Sequence, residues 1–310
     1  MVPLFTAEHV YEAVPPERAV DAVRDAFVAY ARGEWTMPPK VYVAAYPAGD
    51  FRAMPALGGG HALLKWVTSF PGNPAKGIPT VMGVVLVSSA EDGRLVAVLD
   101  AAAVTAVRTG AAAVLAAEAL GRADAATAAV VGAGVNGEAA ARTFSARGRT
   151  PLVWDVDEDR ARAVAERVGG AVASRAEALG ADLLVTVTPG REVLLPAGSL
   201  RDGQHVSLMG ADGPGKAEIA VEELGRVRVF CDDWEQASHG GECAAAVEAG
   251  VLKRDDVTEL GRVLSGDAPG RRSSSEATAF DSTGLALQDL AVALAALERR
   301  GDLDLPQIPL

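Results

Sequence analysis

Thr127-Ala128-Ala129-Val130-Val131-Gly132-Ala133-Gly134-Val135-Asn136-Gly137 is the stretch on which the reading of the fold turns. The short apolar run to Val131 has the length of a buried strand. Gly132, Gly134 and Gly137 then form a G-x-G-x-x-G that opens a helical segment, NGEAAARTFSA. Glycines at this spacing permit a tight strand-to-helix turn and let a pyrophosphate approach the helix N-terminus. The free N–H groups and the helix dipole there favour an anion. Gly132, Gly134, Val135, Asn136 and Gly137 are therefore assigned to a dinucleotide. Asp155 follows Gly137 by eighteen residues, at the end of the next apolar segment. A carboxylate there accepts from both ribose hydroxyls and repels a 2′-phosphate, which favours NAD over NADP. Val156 and Asp157 behind it are assigned to the cofactor as well. Arg160 and Arg162, within the following helix, temper the preference for NAD. Thr186 and Thr188, ending the apolar run Leu183–Thr188, are expected to face the cofactor from the carboxyl edge of the sheet.

Downstream, strands at Pro151–Trp154, Leu183–Thr188, His205–Leu208 and Val227–Cys231 alternate with helices. This rhythm predicts a parallel sheet with right-handed crossovers. Upstream the pattern differs. Pro16–Arg32 places Val20, Val23, Phe27 and Tyr30 on one helical face, and Gly33 ends it. Val41–Tyr46, Ala62–Thr68 and Val81–Val87 read as strands, with a hairpin turn at Glu91-Asp92-Gly93. Asp100–Gly121 reads as helix, and the apolar face of Leu285–Arg300 packs back on the N-terminal part. The expected architecture is α/β: a Rossmann-type, doubly wound parallel-sheet domain over 118–284, and a mixed α+β substrate and dimerisation domain over 1–117 and 285–310.

The 310 residues carry a net charge of −12 and are 49% apolar. A sizeable core is available, and the negative charge argues against nucleic acid and anionic membrane surfaces. No run of 18 uncharged apolar residues occurs and the N-terminus lacks a secretory pattern, so neither a membrane span nor export is expected. Cys231 and Cys243 make no disulfide framework, and no Cys/His cluster has metal-ligand spacing. The cytoplasm is the expected compartment. Arginines number 24 and lysines five: Lys40, Lys65, Lys76, Lys216 and Lys253. Where arginine has replaced lysine so widely, the surviving lysines should be enriched at positions that need an amine, such as proton transfer.

Candidate chemistry is densest before residue 117. Phe51-Arg52-Ala53-Met54-Pro55 sets Arg52 beside a Pro-fixed turn, Lys65 lies in the apolar strand LLKWV, and Arg108 precedes an Ala-rich helix. An α-amino acid needs a bidentate cation for its carboxylate, which suits arginine. It also needs a proton donor or acceptor near the reacting carbon, which suits a buried lysine of lowered pKa. Taken singly, each has a plainer reading that weighs more: a snorkelling strand lysine, or arginines in surface ion pairs.

Six blocks shift that balance together. KWVTSFPGNPAKGIPTVMG, LDAAAVTAVRTGAA, VVGAGVNG, MGADGPGKAEI, DDWEQASHGGE and FDSTGLALQDLA run in order from residue 65 to 291. In order and spacing they resemble the ornithine cyclodeaminase/mu-crystallin superfamily, and GADGPGK, DDWEQASHGGE and FDSTGLALQD look most like its alanine dehydrogenase branch. The resemblance implies a homodimer that uses NAD on a small amino acid, keto acid or imine. It implies that Lys65 moves a proton at the substrate, that Lys40 and Arg52 line the pocket, and that Arg108 contacts the substrate carboxylate or the nicotinamide end. Asp212 would be a general base or water-orienting carboxylate. The backbone of Met209, Gly210 and Ala211, and Ser282, would touch the cofactor. Alternatives within the resemblance are a cyclodeaminase that returns the hydride and a cyclic imine reductase. A crystallin-like binding protein is the non-enzymatic alternative. His239 and Glu242 in HGGE could pass for a metal pair but read better as structural.

Overall fold

The computed structural model describes every residue except Arg191, Asp212, Pro214 and Leu310. The chain divides into two compact units, Met1–Arg108 with Leu285–Leu310, and Thr109–Gly284. In the first unit, β1 (Val2–Phe5) leads through α1 (Ala7–Ala13) and α2 (Pro16–Ala31) to β2 (Val41–Ala45), β3 (Gly49–Gly58), β4 (His61–Ser69), β5 (Val81–Ser89) and β6 (Leu95–Asp100). Helix α3 (Ala101–Leu120) runs through the division at Arg108. The Asp100 carboxylate caps its start by accepting from Ala103 N–H at 2.7 Å. By length and composition α3 could cross a membrane. Ala111 to Ala117 are nevertheless fully buried, as in a core helix.

The second unit alternates β7 (Ala128–Val131), α4 (Val135–Ala146), β8 (Leu152–Trp154), α5 (Glu158–Val168), β9 (Ala171–Val172), α6 (Arg175–Leu179), β10 (Leu183–Thr186) and β11 (His205–Leu208). It continues with α7 (Val221–Leu224), β12 (Arg228–Cys231), α8 (Trp234–Gly240), α9 (Cys243–Glu248), β13 (Val257–Glu259), α10 (Leu260–Leu264) and β14 (Thr278–Asp281). The chain then returns to the first unit in α11 (Ala286–Glu298) and β15 (Gln307–Ile308).

Among the described residues, the second unit holds an eight-stranded sheet in the order β13-β12-β14-β11-β10-β7-β8-β9. All its pairings are parallel. The chain leaves β7 in one direction to β8 and β9, then returns to β10 on the other side of β7. The turn after β7 therefore lies at the topological switch point, where open parallel sheets bind ligands.

The first unit holds a seven-stranded sheet, β15-β1-β6-β5-β4-β3-β2, antiparallel from β6 to β2. Helix α11 packs against α2, β3 and β4. One sheet face is buried through Met54, Ala56, Leu63, Lys65, Val67, Val85 and Val87. The segment expected as a turn beside Arg52 is instead β3, which runs through Pro55. Leu57 N–H donates to Thr36 O on the β2 side, so position 55 faces that same side, where β2 does not extend. A residue without an N–H is tolerated there because no ladder bond is lost.

Candidate functional site

In the first unit, alternation along antiparallel strands gathers the charged residues. Lys65 on β4 lies opposite Met54, and Arg52 lies opposite both Val67 of β4 and Tyr42 of β2. All of these therefore occupy the helix-covered face. Lys40 is half-buried just before β2, two positions from Tyr42. Arg52 donates to the Asp50 carboxylate at 2.6 Å and stacks over the Tyr42 ring.

Lys65 is fully buried, and its Nζ lies 2.6 Å from the Asp289 carboxylate of α11 and 3.4 Å from Thr105 Oγ1 of α3. Arg108, one turn beyond Thr105, points Nε at the same carboxylate at 3.7 Å and donates to Gln288 Oε1 at 3.3 Å. Burial strips water from the ammonium and lowers the Lys65 pKa to about 8. Asp289 opposes that fall, whereas Arg108 and Arg52 add to it. A lysine near 8 exchanges its proton at neutral to mildly alkaline pH, and arginines beside it suit a carboxylate. Asp289 escaped the sequence reading because it is one of two acids in a largely apolar helix. Its only signal is that the charge lies on the buried face.

In the second unit, the turn from Gly132 to Gly137 fits a pyrophosphate. Gly132 has φ +105°, and a Cβ on Gly137 would fall 1.7 Å from the Gly132 carbonyl oxygen. A Cβ on Gly134 would meet nothing, so the turn is open on its outer side. Gly134 caps α4 without a side chain, leaving the first-turn N–H groups for an anion. Val135 in that first turn is 65% exposed, and Asn136 beside it is half-buried. The Asp155 carboxylate is fixed at the end of β8 by Ala133 N–H at 2.6 Å and Asp157 N–H at 2.9 Å. Arg160 stands 3.4 Å from it, and Val156 is 81% exposed.

A family model for the ornithine cyclodeaminase/mu-crystallin family matches residues 3–302. The chain belongs to that family. The alanine dehydrogenase of Archaeoglobus fulgidus is 42% identical over 309 residues, covering 95% of this chain and 94% of the relative. Among solved structures, an archaeal alanine dehydrogenase dimer with bound NAD matches with a TM-score of 0.93 at 40% identity, covering 100% of this chain and 99% of that one. The iminosuccinate reductase of Paracoccus denitrificans in complex with NAD⁺ matches with a TM-score of 0.90 at 27% identity, over 100% and 99% of the two chains.

In this member of the ornithine cyclodeaminase/mu-crystallin family, several residues assigned to the cofactor also make hydrogen bonds within the protein. Asp157 is the N-cap of α5, and its carboxylate accepts from Arg160 N–H at 3.2 Å. Thr186 is fully buried and donates its hydroxyl to Glu218 at 2.7 Å, and the Thr188 hydroxyl does the same. Met209 N–H donates to Thr186 O, Gly210 N–H to Glu218, and Ala211 is fully buried. The Ser282 hydroxyl donates to Asp232 at 3.1 Å. Thr186, Met209, Gly210 and Ser282 share one reason, that at a parallel sheet buried on both faces hydroxyls and turn amides must find internal acceptors, whereas Asp157 is exposed and caps its helix. Asp212 lies outside the described residues.

Glu218 and Glu242 are the acids the sequence reading undervalued. Glu218 also accepts from Thr188 N–H, and its own N–H donates to Glu242 at 2.8 Å. Burial raises the pKa of Glu218 and pushes that of Glu242 up to about 9. Glu242 of HGGE accepts from the Glu218 and Ile219 N–H groups, and His239 bonds the Glu235 carbonyl of its own helix. A Cβ on Gly241 would fall 2.4 Å from the Asp281 carboxylate, which also accepts from Cys243 N–H. DDWEQASHGGE and FDSTG thus interlock through Asp232 and Asp281, and KAE ties the loop after β11 to the end of β10.

Proposed function

We propose that this chain is an NAD-dependent amino-acid dehydrogenase, with L-alanine the first candidate substrate: L-alanine, NAD⁺ and water give pyruvate, ammonia and NADH. The observation that carries the reading is the fully buried Lys65 grouped with Arg108 and Arg52 in one unit. In support, the A. fulgidus alanine dehydrogenase is similar along nearly the whole chain. Met1–Arg108 with the C-terminal helix is assigned to substrate, and Thr109–Gly284 to the dinucleotide. When bound, NAD⁺ supplies the hydride acceptor. The first turn of α4 would hold its pyrophosphate, and Asp155 would accept from its adenosine ribose. Arg52, Arg108 and Lys40 would bind the substrate carboxylate. Lys65 would take the proton from the substrate amine as Cα is oxidised to the imine level. Asp212 is assigned the activation of the water that releases ammonia.

A homodimer is part of this reading. Val41, Val43, Leu64, Trp66 and Met82 are exposed, Phe51 stacks on Trp66, and these residues form the sheet face opposite Lys65. An apolar face of this kind suits burial against a second copy. Two free thiols and the negative net charge suit the cytoplasm. Reduction of an imine supplied from elsewhere is the second reading, favoured by the likeness to the iminosuccinate reductase. The test is a panel of L-amino acids with NAD⁺, and of keto acids with ammonia and NADH, followed by nicotinamide absorbance. L-Alanine should drive NADH formation. No absorbance change with any member of either panel would overturn the dehydrogenase.

A further inference from the structure

Asp289 has no part in the reaction outlined above, yet it is the carboxylate on which that chemistry converges. It sits in the first turn of α11, is fully buried, and lies 2.6 Å from Lys65 Nζ and 3.7 Å from Arg108 Nε. Among the described residues, neither of its oxygens accepts a hydrogen bond from a backbone amide or hydroxyl. It is neither a helix cap nor a loop tie. A buried carboxylate is costly unless cations face it, and the cations here are Lys65 and Arg108. The neighbouring residue, Gln288, grips Arg108 from the same helix turn.

We propose that Asp289 is a positioning residue: it holds Lys65 and Arg108 at a fixed separation and sets the pH at which Lys65 exchanges its proton. This inference rests on the reading of Lys65 as the proton acceptor. The groups facing Lys65 are Asp289 from α11, Arg108 and Thr105 from α3, and Arg52 from β3, itself paired with Asp50; its β5 neighbour, Val85, is apolar. With Lys65 protonated, two cations share one carboxylate and leave one positive charge for an anionic substrate. Once Lys65 has given up its proton, Arg108 and Asp289 balance. The pair can therefore pass a proton without leaving a buried carboxylate unpaired.

With five lysines in the chain, Lys65 can be followed directly. In protein labelled at the lysine ε-carbon, its resonance is identified by its loss in Lys65→Arg and then titrated. Asp289→Asn should move the Lys65 midpoint down by about one pH unit or more, because the anion is gone and two guanidinium groups remain. The acidic limb of kcat/KM for oxidation should move with it, and plateau kcat should fall at least about tenfold. An unmoved midpoint in Asp289→Asn overturns the inference. If that variant does not fold, Asp289→Glu carries the test: a carboxylate displaced by one methylene should shift the midpoint or lower kcat about fivefold or more, and wild-type values for both overturn the inference. Wild-type turnover in Lys65→Arg would overturn the reading of Lys65 itself, whatever Asp289 does.

Discussion

Lys65 is an expensive residue to bury. An ammonium taken from water into a strand face is destabilised by several kcal/mol even after relaxation, on the order of what one buried ion pair returns. An arginine would make the same pairing without losing its charge, and this chain uses arginine almost everywhere else. What lysine adds is a proton it can release, since burial brings its pKa to about 8 whereas a guanidinium does not deprotonate. Lys65→Arg should fold, bind NAD and lose turnover by about 10³-fold or more, as checked by kcat with cofactor binding measured in parallel. A snorkelling lysine would leave most activity in that variant. The pH sign follows. Oxidation needs neutral Lys65, so its kcat/KM should rise with pH through about 8, while reductive amination needs the ammonium and should fall across the same range. A pair of profiles that move in the same direction through that range would reject Lys65 as the titrating group.

At the level of elements, the two sites are built differently. The dinucleotide turn depends on backbone. The 1.7 Å approach that a Gly137 Cβ would make to Gly132 O leaves no room for a side chain, and that requirement is what made the turn legible in sequence. The edge formed by β10, β11 and the loop after it depends on Glu218, which gathers Thr186, Thr188 and Gly210. Glu218→Ala leaves those buried donors without an acceptor, at about 1–3 kcal/mol each. Chemical denaturation should show a loss on the order of 3 kcal/mol or more, and wild-type stability would mean the cluster is idle. Strand β11 and helix α4 matched their sequence signals because apolar runs and glycines mark them. Strand β3 did not, because Pro55 reads as a turn until β4 is seen beside it. The hydrogen bond from Thr186 to Glu218 was not legible because, in a strand buried on both sides, alternation does not say which way a hydroxyl faces.

For the whole molecule, the family blocks divide into two kinds of work. VVGAGVNG and the lysine and arginine blocks carry groups that suit ligand and proton. DDWEQASHGGE, KAE and FDSTG carry buried acids that tie loops together. The dinucleotide turn was visible in one sequence because residue type and spacing announce it, whereas Lys65 and Arg108 stood out only through the resemblance of the blocks around them. The tying kind was not visible, since an aspartate on paper does not say whether a ligand or a backbone amide will meet it. The same Lys65, Arg108 and NAD could serve a dehydrogenase, which consumes NAD⁺ and releases ammonia, or a cyclodeaminase, which releases ammonia and returns the hydride. They could also serve an imine reductase, which consumes NADH without ammonia. The decisive measurement is ammonia and NADH in the same reaction, with L-alanine first and L-ornithine and L-lysine beside it. The dehydrogenase reading predicts one NADH for each ammonia from L-alanine; ammonia from ornithine or lysine without net NADH, or no ammonia from any amino acid, would contradict it.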